Sequence, residues 1–376
     1  MPNPQDIFQL AQQTATQVTA SPESWRRFLY TAAHNYHTTY LNQLLIHAQR
    51  PDATACATMQ YWNEQAHRKV MYGSKSIIIL QRHQGVPTAK RVFSMTDTVL
   101  TGDKAAAPWE VTDAIRPLLM QVNSVGSLMD RANEQVISLS ERANRVLATS
   151  IEDSALNWSH PEDQRFILQE LAAQSTLYMI CIRLGIPVRE EDFPAFRNVT
   201  QFDTSRISLC LGGYVQAAAE PLLDELGHEV MQLARDSVAI QAEPVHNTDT
   251  PSPTQMTSRE ELSQMMYTNV IGYQIPNLSL PKAKKTNLNR YGRMRLDYLE
   301  QNEPNLCDQM MLEGTLLPSC RKMGLDAQQM VDKTLHDLMQ KAQMPDRKTN
   351  PLGWAQMCNS LKQQAEEMIL PMLYEV

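Results

Sequence analysis

The sequence predicts an α+β fold: a small N-terminal domain of helices and an antiparallel sheet, followed by mostly α-helical middle and C-terminal domains. Apolar residues recur at three- and four-residue spacing over most of the chain, which is typical of amphipathic helices. β-Branched residues gather around glycines after residue 68, which favours short strands. A segment rich in Pro, Thr and Ser at 242–262 indicates a linker. The 376 residues are enough for two or three hydrophobic cores.

The N-terminal domain, residues 1–107, is predicted to begin with helices. Asp6–Thr19 fits one helix, and Ser21 followed by Pro22 is a typical start for a second. A further helix continues until Pro51 ends it. The strings KVMYG, SIIIL and RVF between residues 69 and 93 then predict the strands of the small sheet.

The middle domain, residues 108–241, is predicted to be helical, including one helix over Val136–Leu147. A longer helix ends where Gly185 precedes Pro187. The Gly212-Gly213 pair predicts a helix interruption before another helix at Glu220–Ile240. After the linker, residues 263–376 are predicted to hold a short extended segment and three or four amphipathic helices.

Charge is segregated along the chain, although the formal net charge is −7. Residues 22–91 contain nine cations and three anions, and residues 282–295 contain six cations and no anion. The region at 150–262 is acidic. A basic front end is compatible with nucleic acid, whereas an acidic face can mimic DNA towards a basic enzyme cleft. An ordinary solvated helical surface is the alternative explanation of the acidity.

Aromatic rings alternate with the cations of the first basic segment, and single-stranded nucleic acid requires both groups. Trp25 and Phe28 have the spacing of a buried helix face. Trp62 and Tyr72 are the candidate stacking rings. The predicted DNA-binding residues are Arg26, Arg27, Arg50, Trp62, Arg68, Lys69, Tyr72, Lys75, Arg82, Lys90 and Arg91. A second basic patch consists of Lys282, Lys284, Lys285, Arg290, Arg293 and Arg295.

Motifs that would indicate an enzyme are missing from the sequence. The string at 224–228 has Glu225 and His228 but carries Asp224 where a zinc peptidase needs its first histidine. No phosphate-binding glycine loop and no nucleophile elbow occur. We therefore expect no catalytic activity, no cofactor and no metal, and we keep a cryptic metal-dependent hydrolase as the least favoured alternative.

The cysteines and the hydropathy indicate where the protein acts. Six cysteines are dispersed without any CxxC motif, which favours reduced thiols in the cytoplasm. No apolar run approaches the roughly 18 residues that cross a bilayer, and the N-terminus lacks the features of a signal peptide. We expect a soluble cytoplasmic protein that does not bind membranes.

Several strings carry a resemblance to a known N-terminal module: FLYTAAHNY at 28–36, NQLLIHAQRPDATACA at 42–57, Trp62-Asn63, and GSKSI at 73–77. They resemble the front region of large proteins of Firmicutes integrative conjugative elements. That region is similar to the single-strand-DNA-binding domain of ArdC-type antirestriction proteins. The middle domain resembles the helical segment that follows, which is a metallopeptidase-like domain in ArdC-type proteins. Because HExxH is missing here, the resemblance implies a degenerate, inactive peptidase-like region.

A different resemblance is carried by the C-terminal strings NRYGRMR at 289–295, LEGTL at 312–316, PLGW at 351–354 and AEEMIL at 365–370. They resemble TnpV, a small helical protein encoded by transposons. The resemblance implies a mobile-element setting.

Together these observations predict a non-enzymatic accessory protein of a mobile element. We expect it to bind single-stranded DNA, to inhibit a host defence nuclease of the restriction or CRISPR type, or both. The alternative from another class is a scaffold of a conjugative element that binds proteins and no DNA.

Overall fold

The computed structural model describes residues 5–101, 111–240, 266–270, 272–281 and 287–374. Over these residues the protein is mostly helical with small antiparallel sheets, which confirms the predicted fold class. The chain divides into two compact units. The first contains Met1–Gln81 and Ala89–Pro281, and the second contains Arg82–Thr88 and Lys282–Val376. The predicted boundary at residue 107 falls within the first unit, and the predicted linker at 242–262 lies outside the described residues.

The first unit begins with strand β1 (Gln5–Asp6) and helices α1 (Ile7–Val18), α2 (Pro22–His34) and α3 (Tyr40–Gln49). Asp6 caps α1, since its carboxylate accepts a hydrogen bond from the Phe8 N–H at 2.8 Å. Ser21 caps α2 in the same way, accepting from the Ser24 N–H at 3.1 Å. Both predicted helix starts are therefore confirmed.

The strand region follows α4 (Met59–Glu64) and contains β2 (Arg68–Val70), β3 (Ile77–His83), β4 (Val86–Val92) and β5 (Thr98–Leu100). β2 pairs antiparallel with β5, and β3 pairs with β4. The strands thus form two separate two-stranded ladders.

Side-chain amides of α3 occupy the free edge of β3. Asn42 exchanges two hydrogen bonds of 2.9 Å with the backbone of Leu80. Gln49 does the same with Ile78, at 2.9 and 2.7 Å. Unpaired backbone groups at a buried strand edge are costly, and these amides satisfy them in place of another strand.

The middle helices are α5 (Ile115–Val122), α6 (Val125–Ser138), α7 (Ser140–Ser150), α8 (Pro161–Leu184) and α9 (Ser205–Ile240). α8 ends as predicted at Gly185, whose φ of 64° is the left-handed conformation of a helix C-cap. The prediction of a single helix over Val136–Leu147 is wrong, because this range contains the end of α6 and the start of α7. A turn at Leu139, whose N–H donates to the Val136 carbonyl at 3.2 Å, separates α6 from α7.

The predicted interruption at Gly212-Gly213 is also wrong, because α9 continues through both glycines. A Cβ atom at Gly212 would lie 2.0 Å from the ring of Tyr40. The missing side chain therefore allows the buried Tyr40 ring to lie directly on the helix backbone, where its hydroxyl is 3.0 Å from Ser208 Oγ.

The last strands of the first unit are β6 (Tyr267–Val270), β7 (Tyr273–Pro276) and β8 (Leu278–Ser279). β6 and β7 form an antiparallel hairpin, and β8 pairs in parallel with β1. These strands correspond to the extended segment predicted from the sequence.

The second unit contains α10 (Arg290–Asn302), α11 (Pro304–Leu312), α12 (Leu316–Lys341) and α13 (Pro351–Tyr374). The β3–β4 turn, residues 82–88, belongs to this unit. The Arg82 guanidinium lies 2.7 Å from Asp308 Oδ1, and the Gly85 N–H donates to Glu300 Oε1 at 2.8 Å. A hairpin tip thus completes the helical unit.

None of the helices in the described ranges combines the length and the apolar character that crossing a bilayer requires.

Candidate nucleic-acid interface

Three of the predicted DNA-binding cations are engaged by carboxylates of the protein. Arg26 pairs with Glu190, and Arg50 pairs with Asp97. Arg82 is paired with Asp308 and also donates to the Pro304 carbonyl at 2.7 Å, so little of its charge faces solvent. These arginines have structural partners that the sequence pattern did not reveal.

The structure corrects the assignment of Trp62 as a stacking ring. Its side chain is 2% exposed, and its Nε1–H donates to the Phe93 carbonyl at 2.9 Å. It packs in a small core with Ala66 and Val70. A ring held in this way has no free face on which a base could stack.

Tyr72, by contrast, is 82% exposed. It lies on residues 71–76, which we call the Tyr72 loop. The ring covers Gly272 of the β6–β7 hairpin, where a Cβ atom would lie 1.8 Å from the ring. Glycine at 272, with φ of 83°, is therefore required both by the turn and by this contact.

Backbone hydrogen bonds hold the Tyr72 loop against the same hairpin. The Gly73 N–H donates to the Gly272 carbonyl at 2.8 Å, and the Ser76 N–H donates to the Gln274 carbonyl at 2.8 Å. In return, the Gln274 N–H donates to the Ser74 carbonyl at 3.1 Å. The exposed ring is thus presented on an ordered segment.

Two exposed lysines, Lys69 and Lys75, lie three residues before and three residues after Tyr72 in the sequence. Lys75 places its Nζ 5.0 Å from the centroid of the Tyr267 ring, within the range of a cation–π contact. Lys69 lies on β2, opposite Val99 of β5. Next to it, Arg68 donates from Nε to Thr98 Oγ1 at 2.7 Å, which fixes the direction of the guanidinium.

A cavity of about 300 Å³ lies beside these residues, and Arg68 and Lys69 form part of its wall. Met59 and Asn63 of α4 and Tyr273 of β7 also line it. The structure therefore brings Arg68 and Lys69 to one cavity, with Tyr72 and Lys75 on the adjoining loop.

The other predicted cations of the first segment lie elsewhere. Arg27 and Arg91 are exposed and Lys90 is half-buried, on α2 and β4, and none of the three lines this cavity.

Three of the six cations of the second basic patch lie in the part of the chain that the structure describes. Lys282, Lys284 and Lys285 lie outside the described residues. Arg290 pairs with Glu366 at 2.9 Å, and Arg293 is exposed. Arg295 is buried, where its guanidinium donates to the Leu373 carbonyl at 2.8 Å and burial lowers its pKa. Arg295 is therefore a helix-packing residue and not part of a basic surface.

A larger cavity, of about 630 Å³, was not predicted as a site. We call it the His34 cavity; its wall includes His34, Cys56, Tyr61 and Arg183. Burial lowers the pKa of His34 and raises that of the Cys56 thiol to about 12, so both are neutral at pH 7. The sequence signal was present in the strings at 28–36 and 42–57, which supply much of this wall.

The residues of the incomplete peptidase motif do not converge. Glu225 pairs with Arg131 at 2.8 Å, His228 is exposed, and Asp224 lies 3.5 Å from His37 Nδ1. Within the described part of the chain, no group of three or more His, Cys, Asp or Glu side chains is arranged to hold a metal ion.

Comparison with known proteins gives a match for the C-terminal part of the chain. No curated protein and no solved structure matches the chain. Residues 266–373 match the family described as transposon-encoded protein TnpV, which covers the β6–β7 hairpin and helices α10 to α13. The C-terminal part of the chain is thus similar to TnpV over residues 266–373, as predicted from its sequence strings.

Proposed function

We propose that this protein is a non-enzymatic accessory protein of a mobile element that binds single-stranded DNA through the Tyr72 loop. The observation that carries the proposal is one 82% exposed ring on a hydrogen-bonded loop, flanked by Lys69 and Lys75. The TnpV domain supports the mobile-element setting. Six free cysteines among the described residues support action in the cytoplasm.

The physical argument combines stacking with charge. A base that stacks on an exposed aromatic ring gains about 1–3 kcal/mol, whatever its sequence. Because the Tyr72 loop is already ordered by the β6–β7 hairpin, little conformational entropy is lost when the base binds. Lys69 and Lys75 supply the cations that phosphates on either side of the stacked base require.

The stacking ring is tested by fluorescence anisotropy with a labelled oligothymidine strand. Tyr72→Ala is expected to weaken binding about 5- to 150-fold, the loss of one stacked base. Trp158→Ala is the matched control, since Trp158 is 93% exposed in the middle of the chain. If both variants bind as the unmodified protein does, the Tyr72 loop is not the site.

The cations are tested through salt dependence. A single strand whose phosphates contact Arg68, Lys69 and Lys75 should give a slope of about −2 in log affinity against log salt. Lys69→Gln combined with Lys75→Gln should make this slope shallower by about 1.4, whereas Arg145→Gln on α7 should leave it unchanged. Absence of binding at about 50 mM salt would refute the proposal.

A second candidate, a protein-binding module, is favoured by another observation. Trp158 and Phe166 are 93% and 64% exposed near the start of α8, next to Glu162 and Asp163. Large exposed apolar side chains commonly mark protein interfaces. If a purified restriction nuclease is inhibited by the protein but not by the Trp158→Ala, Phe166→Ala variant, the middle domain acts on a protein.

A further inference from the structure

We propose that the His34 cavity binds a single unstacked nucleotide of a single strand. This inference rests on the proposed function and adds a second contact to it. The volume of about 630 Å³ falls within the range of about 300–1,000 Å³ that is usual for small-molecule sites.

The floor of the cavity is built from small side chains on a constrained backbone. Ala55, Cys56 and Ala57 line it, and Ala55 has a φ of 43°, which is uncommon for a residue other than glycine. Two hydrogen bonds hold this conformation: from the Ala55 N–H to the His34 carbonyl at 3.2 Å, and from the Cys56 N–H to Asn35 Oδ1 at 3.0 Å. Uncommon backbone conformations of this kind concentrate at ligand sites.

The wall carries the three kinds of group that a nucleotide needs. Tyr61 is partly exposed and offers a ring for stacking. His34 Nδ1 lies 2.9 Å from the Tyr30 carbonyl and must donate to it, which leaves Nε2 of the neutral ring as an acceptor for an amino group of a base. Arg183, close enough to lower the pKa of His34, offers a cation for the phosphate.

The second histidine of the wall is less suited to a phosphate. His37 also lines the cavity, but Asp224 lies 3.5 Å from its Nδ1, so a negative charge is already present there. We assign the phosphate contact to Arg183 because its guanidinium is a permanent cation with several N–H donors on the same wall.

Helix α4 lies between the two cavities of this region. Tyr61 and Trp62 line the His34 cavity, and Met59 and Asn63 of the same helix line the cavity beside Lys69. A strand held at the Tyr72 loop could therefore reach the His34 cavity by passing one short helix.

The test is calorimetric titration of the full chain with dAMP, dCMP, dTMP and the nucleoside deoxyadenosine. We expect dAMP and dCMP to bind more tightly than dTMP, because thymine lacks the exocyclic amino group assigned to His34 Nε2 and offers only its ring N3–H as a donor. Arg183→Gln should weaken dAMP about tenfold and leave deoxyadenosine unchanged. Tyr61→Ala, a change at the surface of α4, should weaken all four ligands, and Arg145→Gln should weaken none.

Each result bears on one of the two proposals. If no mononucleotide binds while oligothymidine still binds at the Tyr72 loop, the cavity inference is overturned and the proposed function stands. Mononucleotide binding that Tyr61→Ala abolishes supports the cavity even if oligothymidine binding fails. Equal affinity of the unmodified protein for dAMP, dCMP and dTMP would count against the contact assigned to His34. Affinities that Arg183→Gln or Tyr61→Ala leave unchanged would count against the contacts assigned to those two residues.

Discussion

Single atoms decide the packing of the first unit at several residues. At Gly212, the absence of one carbon lets the ring of Tyr40 lie on helix α9. Tyr40 also contacts the ring of Phe28 edge to face, with centroids 5.3 Å apart. The glycine therefore serves helix-to-ring packing between distant parts of the chain.

We expect Gly212→Ala to destabilise the protein by about 3 kcal/mol, because a buried ring 2.0 Å from the new carbon must move. Gly126→Ala is the matched control. Its nearest neighbour would be 3.9 Å away, and alanine is the better helix former by about 1 kcal/mol. Thermal unfolding followed by circular dichroism measures both; equal melting temperatures for the two variants would contradict the packing argument.

His47 gives the first unit a pH dependence. Burial, together with a smaller contribution from the charge of Arg27, lowers the pKa of His47 to about 4. The hydroxyl of Thr31 donates to the Pro51 carbonyl at 2.6 Å and therefore accepts from His47 Nδ1 at 2.8 Å. The folded protein thus keeps the ring neutral.

The sign of the effect follows from the pKa values. The unfolded chain binds a proton near pH 6.5, and the folded protein binds it near pH 4. Stability should therefore fall as the pH is lowered from about 6.5 to 4, by up to about 3 kcal/mol from this residue. In His47→Gln, urea unfolding should depend less on pH over that window. An unchanged dependence would show that His47 does not contribute.

At the scale of elements, helices of the second unit approach each other closely through glycine. The Asn289 side chain caps α10 by accepting from the Gly292 N–H at 2.8 Å, and it donates to the Gly324 carbonyl of α12 at 2.7 Å. A Cβ atom at Gly324 would lie 2.6 Å from the Gly292 nitrogen. The two helices thus pack backbone against backbone at this point.

Gly324→Ala is expected to lower stability by about 3 kcal/mol. Two of the colliding atoms belong to the Gly292 backbone and cannot rotate away, and the third, Asn289 Oδ1, is held by its capping hydrogen bond. The neighbouring Leu325→Ala, at a side chain that is 49% exposed, should change it by less than about 1 kcal/mol. Urea unfolding compares the two variants. A Gly324→Ala protein as stable as the control would rule out close contact of α10 and α12.

At the scale of the whole molecule, charged side chains that are far apart in the sequence form a buried ion pair. Arg82 and Asp308 are 226 residues apart, yet their side chains are 14% and 6% exposed and lie 2.7 Å from each other. Taking one charge from a buried pair leaves the other without compensation.

We expect Asp308→Ala to destabilise the second unit by about 3–5 kcal/mol, and the double variant with Arg82→Met to recover much of that loss. Asp337→Ala, at an exposed position of α12, is the control for removal of an acid. The melting temperatures of the unmodified protein, the two single variants and the double variant complete a double-mutant cycle. Additive losses would show that the two charges do not interact.

The local signals in the sequence located most of the helices. Ser21 with Pro22 and Gly185 with Pro187 marked helix ends that the structure confirms, because capping depends on residues within one turn. Gly212 was misread for the same reason: its role depends on Tyr40, which lies far away in the sequence.

The candidate site was predicted in part. Tyr72, which the sequence named as a candidate stacking ring, is exposed, and so are Lys69 and Lys75. Trp62 and Arg82 were misassigned, because a run of rings and cations does not reveal which members find partners in the core. The His34 cavity was missed because its wall joins α2, α4 and α8.

The sequence by itself determined the helical character, the short strands, the segregated charge and the TnpV strings, since each depends on neighbours along the chain. The tertiary structure alone decided which cations stay exposed and which rings are buried. It also placed the β6–β7 hairpin under Tyr72, across a separation of about 200 residues. Burial and pairing depend on distance in space, and for these residues that distance is unrelated to distance in the sequence.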